Sequence, residues 1–127
     1  MGDKMYSVDD IIEMLDWNND EETQKTGIEL AKGIKNLYIF VQPPIDKKYW
    51  ENCAKVVASH CDSELISVLN KLFHWVADLN WPGSEIILER LNRFERTELF
   101  EVLKKNAINY ARIKNDNMWL YNLNLLN

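Results

Sequence analysis

An all-α fold is predicted by three features of the sequence. Apolar residues recur at the i, i+3/i+4, i+7 spacing of amphipathic helices, and no pair of runs reads as partnered strands. The joins between the expected helices are short, which makes successive helices antiparallel neighbours. Two predicted helical pairs, at 46–77 and 82–114, begin 36 residues apart, close to the period of helix-pair repeats. The sequence therefore predicts a short α-solenoid of antiparallel helical hairpins, with seven or eight helices.

Capping residues delimit the predicted helices. Ser7 and Asp10 have the spacing of a capping box, which opens a helix over 8–16. Asp20 or Asn19 opens a second helix, which ends near Gly33. The run 37–41 is interpreted as a buried helical turn, because no partner strand is present. The remaining helices are expected at 46–60 (capped by Asp46), 62–77 (capped by Asp62 or Ser63), 82–94 (with Pro82 as its first residue), 97–114 (capped by Thr97) and 116–126 (capped by Asp116).

One domain is expected over residues 1–127, with residues 1–6 flexible. We favour a short HEAT-like superhelix over a globular four-helix bundle. The charged start of the chain and the lack of any window of about 18 apolar residues exclude a signal peptide and a membrane span at the level of sequence. A cytoplasmic protein without membrane association is therefore expected.

The segment 75–84 predicts a corner between two helices. Proline disfavours the helical conformation in the residue before it and suits the first position of a helix, so Trp81 is the break and Pro82 the restart. His74 and Asp78 are one helical turn apart and can share a hydrogen bond. Two interpretations stay open: Asp78 and Asn80 fasten a corner that tryptophans fill, or His74, Asp78 and Trp81 line a protein-binding surface.

Acidic residues are concentrated at the start of the chain. Residues 1–22 hold eight acids and one base, whereas the rest of the chain holds 12 acids and 14 bases. One interpretation is a well-solvated first pair of helices. The other is an acidic surface that attracts a basic protein partner. The candidate partner-binding acids are Asp9, Asp10, Glu13, Asp16, Asp20, Glu21 and Glu22.

The sequence shows no catalytic constellation. His60 and His74 lie on different predicted helices, and neither is in a HExxH or CxxC context. Cys53 and Cys61 fall on the apolar stripe of the 46–60 helix, so both are expected in the core. Non-enzymatic function without a metal or cofactor is therefore expected.

Trp75, the run 78–82 and the run 116–119 carry a resemblance to a known family. In these segments the chain resembles a small bacterial family catalogued as domain of unknown function 5071, most closely over residues 65–126. The resemblance implies a HEAT-like fold and no catalytic residues. More loosely, a small acidic helical protein of this type is similar to immunity proteins that neutralise bacterial toxins.

The leading functional hypothesis is a protein-binding module, specifically an immunity protein for a basic toxin, with no nucleic acid as partner. An acidic surface speeds association with a basic protein, and aromatic side chains anchor the complex. One alternative is an enzyme on nucleic acid, because HEAT-like folds occur in alkylpurine DNA glycosylases, and residues 90–114 hold seven bases against three acids. A scaffold or adaptor without a toxin is the other alternative.

Overall fold

A computed structural model describes residues 5–126 and shows an all-helical chain over that range. The predicted flexible segment 1–6 falls partly on residues 1–4, which lie outside the described residues; Met5 is exposed, whereas Tyr6 packs against the core. None of the helices in the described range has the length and apolarity needed to cross a membrane. The α-helices are α1 (Val8–Met14), α2 (Glu21–Ala31), α3 (Trp50–Ala58), α4 (Asp62–Leu65), α5 (Leu69–Trp75), α6 (Ser84–Asn92), α7 (Glu98–Ile113) and α8 (Asn117–Leu123).

Short 3₁₀ segments interrupt the longer helices that the periodicity predicts. The run 37–41 is helical as expected, since Leu37–Phe40 forms a 3₁₀ turn. A second 3₁₀ turn, Lys47–Tyr49, follows the Asp46 cap and leads into α3. A third, Ile66–Val68, divides the predicted 62–77 helix into α4 and α5. Apolar periodicity does not distinguish these breaks, because 3₁₀ and α turns bury similar positions.

Five of the expected caps are present, and one of them, Asp46, caps a 3₁₀ turn, with its Oδ1 accepting from the Lys48 N–H at 2.9 Å. Ser7 and Asp10 form the predicted capping box, in which each backbone N–H donates to the other side chain, at 3.2 and 3.1 Å. Side chains of Asp20, Thr97 and Asp116 accept from the third backbone N–H of α2, α7 and α8. These bonds satisfy donors that a helix start otherwise leaves unpaired.

The predicted cap at Asp62 or Ser63 is wrong. Cys61 precedes α4, and its backbone N–H donates to Glu64 Oε1 at 3.2 Å. The Asp62 carboxylate is instead used in a tertiary contact, where it accepts from buried Arg90 at 2.6 Å and from the Glu95 N–H at 2.9 Å. Burial alone would raise the pKa of Asp62, but these two hydrogen bonds outweigh it and the pKa is lowered.

The helices pack as neighbouring pairs around one core. α1 packs on α2, α2 on α3, and α7 on α8. Across the two predicted pairs, the first members α3 and α6 contact each other, and so do the second members α5 and α7. A continuous cluster of buried apolar side chains runs from Ile11 to Leu126. These contacts establish an all-α fold, and the HEAT-like solenoid remains a prediction.

The corner at 75–84 is fastened by Trp75 and Ser84 rather than by Asp78. The buried Trp75 Nε1 donates to the Pro82 carbonyl at 3.2 Å, and Ser84 Oγ donates to the Trp75 carbonyl at 2.8 Å. Asp78 Oδ1 accepts from the Asn80 N–H within its own turn. The predicted helix start at Pro82 is also wrong, because α6 begins two residues later and Gly83 precedes it with a φ of 82°.

α8 docks on the end of α5 through two side chains. Trp119 Nε1 donates to the Phe73 carbonyl at 2.9 Å, and Asn122 Nδ2 donates to the Val76 carbonyl at 3.0 Å. The last carbonyls of a helix have no hydrogen-bond partner within the helix, so these two donors from α8 satisfy carbonyls at the end of α5. Trp119 is buried, and its indole is fixed at the junction of α5, α7 and α8.

The prediction that Cys61 lies in the core is wrong, and two large side chains on α7 and α8 are also exposed. Cys61 lies beyond the end of α3 and is exposed, whereas Cys53 is buried as predicted. Tyr110 is 51% exposed and Met118 is 56% exposed. α3 ends at Ala58, before Cys61, and α7 has apolar residues on two faces, one of which stays exposed with Tyr110.

Candidate partner-binding sites

The first candidate site is the acidic hairpin, defined as residues 5–22: α1, the loop after it and the start of α2. It carries all seven predicted acids and no basic residue. Asp16 is partly exposed, and the other six acids are exposed. The structure therefore places these acids on one helical hairpin, where their potentials add.

Four of the seven acids also have structural roles within the chain. Asp10 and Asp20 cap helices. Glu13 Oε1 accepts from the Tyr49 hydroxyl at 2.8 Å, and Asp16 forms a 3.1 Å ion pair with Lys48. The Asn18 N–H and Lys48 lower the pKa of Asp16, and the Thr23 N–H lowers the pKa of Asp20, so both stay ionised at neutral pH. Asp9, Glu21 and Glu22 are the exposed acids that can be replaced without removing these bonds.

Trp17 lies at the tip of the acidic hairpin. Its side chain is 45% exposed, next to Asp16 in the loop between α1 and α2. The Trp17 N–H donates to the Lys48 carbonyl at 3.1 Å, which holds the loop against the body of the protein. The sequence places this residue between the first two predicted helices and gives it no binding role. An exposed tryptophan held by its backbone is the kind of side chain that anchors protein interfaces.

A surface cavity of about 500 Å³ opens beside α1. It is lined by Tyr6, Asp10, Glu13 and Met14, which combine two carboxylates with an aromatic ring and a flexible apolar side chain. A lysine or arginine side chain has a matching apolar stem and cationic head. The cavity is therefore suited to a basic side chain of a partner.

The second candidate site surrounds His74. The predicted bond between His74 and Asp78 is not the one formed: His74 Nδ1 lies 2.8 Å from Gln42 Oε1. Gln42 has a φ of 41°, a left-handed conformation that is uncommon outside glycine. Asp78 belongs to the neighbouring turn, so of the three predicted residues the structure brings together His74 and Trp81, with ring centroids 5.7 Å apart.

Aromatic rings extend from His74 in two directions. Trp81 contacts Trp50 on one side, with centroids 6.1 Å apart. On the other side, His74 meets Trp119 edge-on at 5.3 Å, and Trp119 meets Tyr110 at 5.9 Å. The polar neighbours of these rings are Asn70 and Asn106, which line a cavity of about 350 Å³ together with His74, Ala107, Tyr110 and Trp119.

We call the surface formed by Asn70, His74, Asn106, Tyr110 and Trp119 the Asn–aromatic groove. A second cavity of about 280 Å³ continues it past Lys114 and Asp116. Burial lowers the pKa of His74, Asp116 opposes this shift, and Lys71 adds to it. These neighbours therefore favour the neutral imidazole more than water does. If Nδ1 donates to Gln42 Oε1, Nε2 carries the lone pair.

Some of the basic residues of 90–114 form hydrogen bonds within the chain. Arg90 donates to the His60 carbonyl and to Asp62, and it is buried. Arg96 donates to the carbonyls of Leu91 and Phe94, and Lys104 donates to the Leu126 carbonyl. Three of the seven bases thus stabilise the fold, which weakens the basis for a nucleic-acid groove.

These features define a small all-helical protein with two candidate binding surfaces, one acidic and one lined by amides and aromatic rings. The chain belongs to the family described as Domain of unknown function (DUF5071), whose model matches residues 44–126. This match confirms the family resemblance carried by Trp75, 78–82 and 116–119. Neither a curated protein nor a solved structure matches the chain. The acidic hairpin precedes the matched residues, whereas the Asn–aromatic groove lies within them.

Of the groove residues, the sequence marks only His74 as a candidate for partner binding, although a signal for Asn70, Asn106 and Tyr110 was available. Asn70 and Asn106 are 36 residues apart, and so are His74 and Tyr110. This is the offset between the two predicted helical pairs. Recurrence of a polar or aromatic residue at that offset is the sequence signal that points to both pairs.

Proposed function

We propose that the protein is a protein-binding module that captures a basic partner on its acidic hairpin. The observation that carries the proposal is the exposed Trp17, held by its backbone and flanked in sequence by seven acidic residues, of which Asp16 is ion-paired with Lys48. An exposed indole supplies contact area for the bound state. The surrounding carboxylates supply long-range attraction and orientation.

The partner chemistry follows from the charge and shape of the hairpin. A partner with lysine or arginine side chains gains from the acidic potential, and a basic side chain fits the cavity of Tyr6, Asp10, Glu13 and Met14. Steering of this kind raises association rates by about 10–10³-fold at low salt. Fast capture suits an inhibitor that must act before its target does.

Within this class, we propose an immunity protein that neutralises a cognate bacterial toxin in the cytoplasm. A nuclease-type toxin is basic where it contacts nucleic acid, and covering that surface with carboxylates would block the substrate. A scaffold or adaptor role would use the same surface with a basic partner that is not a toxin. The two roles differ in the partner: the free partner of an immunity protein is toxic, whereas the free partner of a scaffold or adaptor is not.

Affinity capture with matched baits tests the proposal. The full chain, a D9N/E21Q/E22Q variant and an E85Q/E89Q/E95Q control are immobilised, and captured proteins from the native host are quantified by mass spectrometry. The two variants lose the same charge, and the first leaves the four structurally bonded acids in place. The expected result is a basic protein enriched on the wild type and the control, and lost from the hairpin variant.

A Trp17→Ala bait separates anchoring from steering. It retains the full charge of the hairpin, so the same basic protein should still associate but dissociate faster. A partner retained equally by the wild type and both hairpin variants would rule out this surface. Inhibition of the captured protein's toxicity by the wild type, with loss of protection in D9N/E21Q/E22Q, distinguishes an immunity protein from an adaptor.

A further inference from the structure

The Asn–aromatic groove repeats one side-chain pair on two neighbouring helices. On α5, Asn70 lies one turn before His74, and on α7, Asn106 lies one turn before Tyr110. The helices α5 and α7 pack against each other, and all four side chains line one cavity. The groove thus presents a row of two carboxamides beside a row of two rings.

Carboxamides on two packed helices have a general spacing that suits an extended peptide. Packed helices lie about 8–10 Å apart, and an extended chain rises about 3.3 Å per residue. Carboxamides on α5 and α7 therefore fall opposite peptide groups about three residues apart. Each carboxamide has both a donor and an acceptor, which are the complements of a backbone C=O and N–H.

The rings of the groove are held in place before any ligand binds. His74 is bonded to Gln42 at 2.8 Å, and Trp119 is buried and bonded to the Phe73 carbonyl. Ligand side chains can pack on Tyr110 and on its exposed neighbour on α7, Ile113, which is 78% exposed. A rigid site avoids part of the entropy cost of binding.

The charge around the groove favours an acidic ligand. Lys114 lines the second cavity, with Nζ 5.2 Å from the Tyr110 ring centroid, and Lys71 is close enough to His74 to lower its pKa. Asp116 is the carboxylate of this lining, and its Oδ1 accepts from the Trp119 N–H. Lys114 is thus the cationic side chain at the end of the groove where a carboxylate of the ligand would lie, whereas Lys71 Nζ lies over the Tyr38 ring, 5.7 Å from its centroid.

We propose that the Asn–aromatic groove binds an extended, acidic peptide segment, with its backbone on Asn70 and Asn106 and a carboxylate side chain at Lys114. This site is separate from the acidic hairpin, which attracts the opposite charge. The protein would then have two binding surfaces of opposite preference, one for a basic partner and one for an acidic segment.

Selection from a phage library of random linear peptides on the immobilised full chain tests the proposal. Enriched peptides are synthesised and titrated against the wild type, N70A/N106A and the matched control N109A/N124A, all exposed positions. The expected peptides contain Asp or Glu next to an apolar residue. The groove variant should bind them about tenfold more weakly or worse, and the control should bind normally.

Reversing the charge at position 114 tests whether the groove prefers acidic peptides. Lys114→Glu should also weaken the binding of the same acidic peptides, whereas D9N/E21Q/E22Q should bind them as tightly as the wild type. Failure to enrich acidic peptides, or enriched peptides that bind N70A/N106A as tightly as the wild type, would overturn the proposal. A dimer of the chain that is detected by light scattering and lost in N70A/N106A would also overturn it, because the occupant would then be a second copy.

Discussion

Ser84 Oγ donates a 2.8 Å hydrogen bond to the backbone carbonyl of Trp75, and so joins the start of α6 to the end of α5. The Trp75 side chain is fully buried in the same corner and meets Trp50 edge-on, with centroids 5.8 Å apart. Its Nε1 also donates to the Pro82 carbonyl. The corner is therefore a packing joint, and its stability depends on the indole more than on the polar residues of the turn.

Trp75→Ala should lower the free energy of unfolding by about 3–5 kcal/mol, because it leaves a void in the core and removes a hydrogen bond. Urea denaturation followed by circular dichroism measures the change. Trp17→Ala is the matched control: it removes an exposed indole and should change stability by about 0.5 kcal/mol or less. Equal effects of the two substitutions would contradict the assignment of Trp75 to the core.

Gly83→Ala should destabilise the protein for two independent reasons. Gly83 has a φ of 82°, and an added Cβ would lie 2.6 Å from Ala54 Cβ and 2.9 Å from the Trp50 carbonyl oxygen. Strain of the left-handed backbone and overpacking together should cost about 2–4 kcal/mol. Gly33→Ala, where the nearest atom is 3.5 Å away, serves as the control in thermal denaturation. A stable Gly83→Ala protein would mean that α3 and α6 do not approach as closely as described.

The two cysteines should react at very different rates. Burial raises the pKa of Cys53 to about 12, so only about one in ten thousand of these thiols is ionised at pH 8, whereas Cys61 is exposed. With Ellman's reagent, the native protein should release one rapid thiol equivalent. Cys61→Ser should abolish this phase and Cys53→Ala should retain it. Two rapid equivalents from the native chain would contradict the burial of Cys53.

His74 should titrate below its ordinary pKa of 6.5, chiefly because it is partly buried. Asp116 opposes the shift, Lys71 favours it, and Tyr110, Trp119 and Lys114 share its cavities. Nuclear magnetic resonance of the imidazole protons measures the value directly. A value at or above 6.5 would show that Asp116 outweighs burial.

The same shift predicts a pH dependence of stability. Below pH 6.5 the unfolded chain binds a proton at His74 more readily than the folded chain, so stability falls as the pH drops from 6.5 through the folded pKa. At higher pH this contribution is absent. His74→Gln should lose this part of the pH dependence, which denaturation at several pH values would reveal.

Local signals predicted the helix starts well. Ser7, Asp20, Thr97 and Asp116 cap the helices that the sequence assigns to them, because a cap depends on a side chain and a backbone N–H only a few residues apart. The error at Asp62 has a tertiary cause: its carboxylate is used by Arg90 and the Glu95 N–H, which come about 30 residues later in the chain.

The candidate sites were predicted less completely than the fold. The acidic hairpin could be predicted from a count of charges, because acids that are close in sequence stay close in space however the rest of the chain folds. The Asn–aromatic groove depends on how α5, α7 and α8 pack, and on Trp119 reaching the Phe73 carbonyl across 46 residues. Tyr110 fits the apolar spacing of α7, but α7 has apolar residues on two faces, and the face that carries Tyr110 stays exposed.

The salt dependence of association tests the central proposal most directly. Stopped-flow mixing of the full chain with the basic partner captured by the wild type gives the association rate constant from about 0.05 to about 0.5 M salt. Steering by the acidic hairpin predicts that the constant falls by about tenfold or more across this range, and that D9N/E21Q/E22Q starts lower and falls less. A rate constant that is unchanged by salt and equal in the two proteins would contradict the proposal.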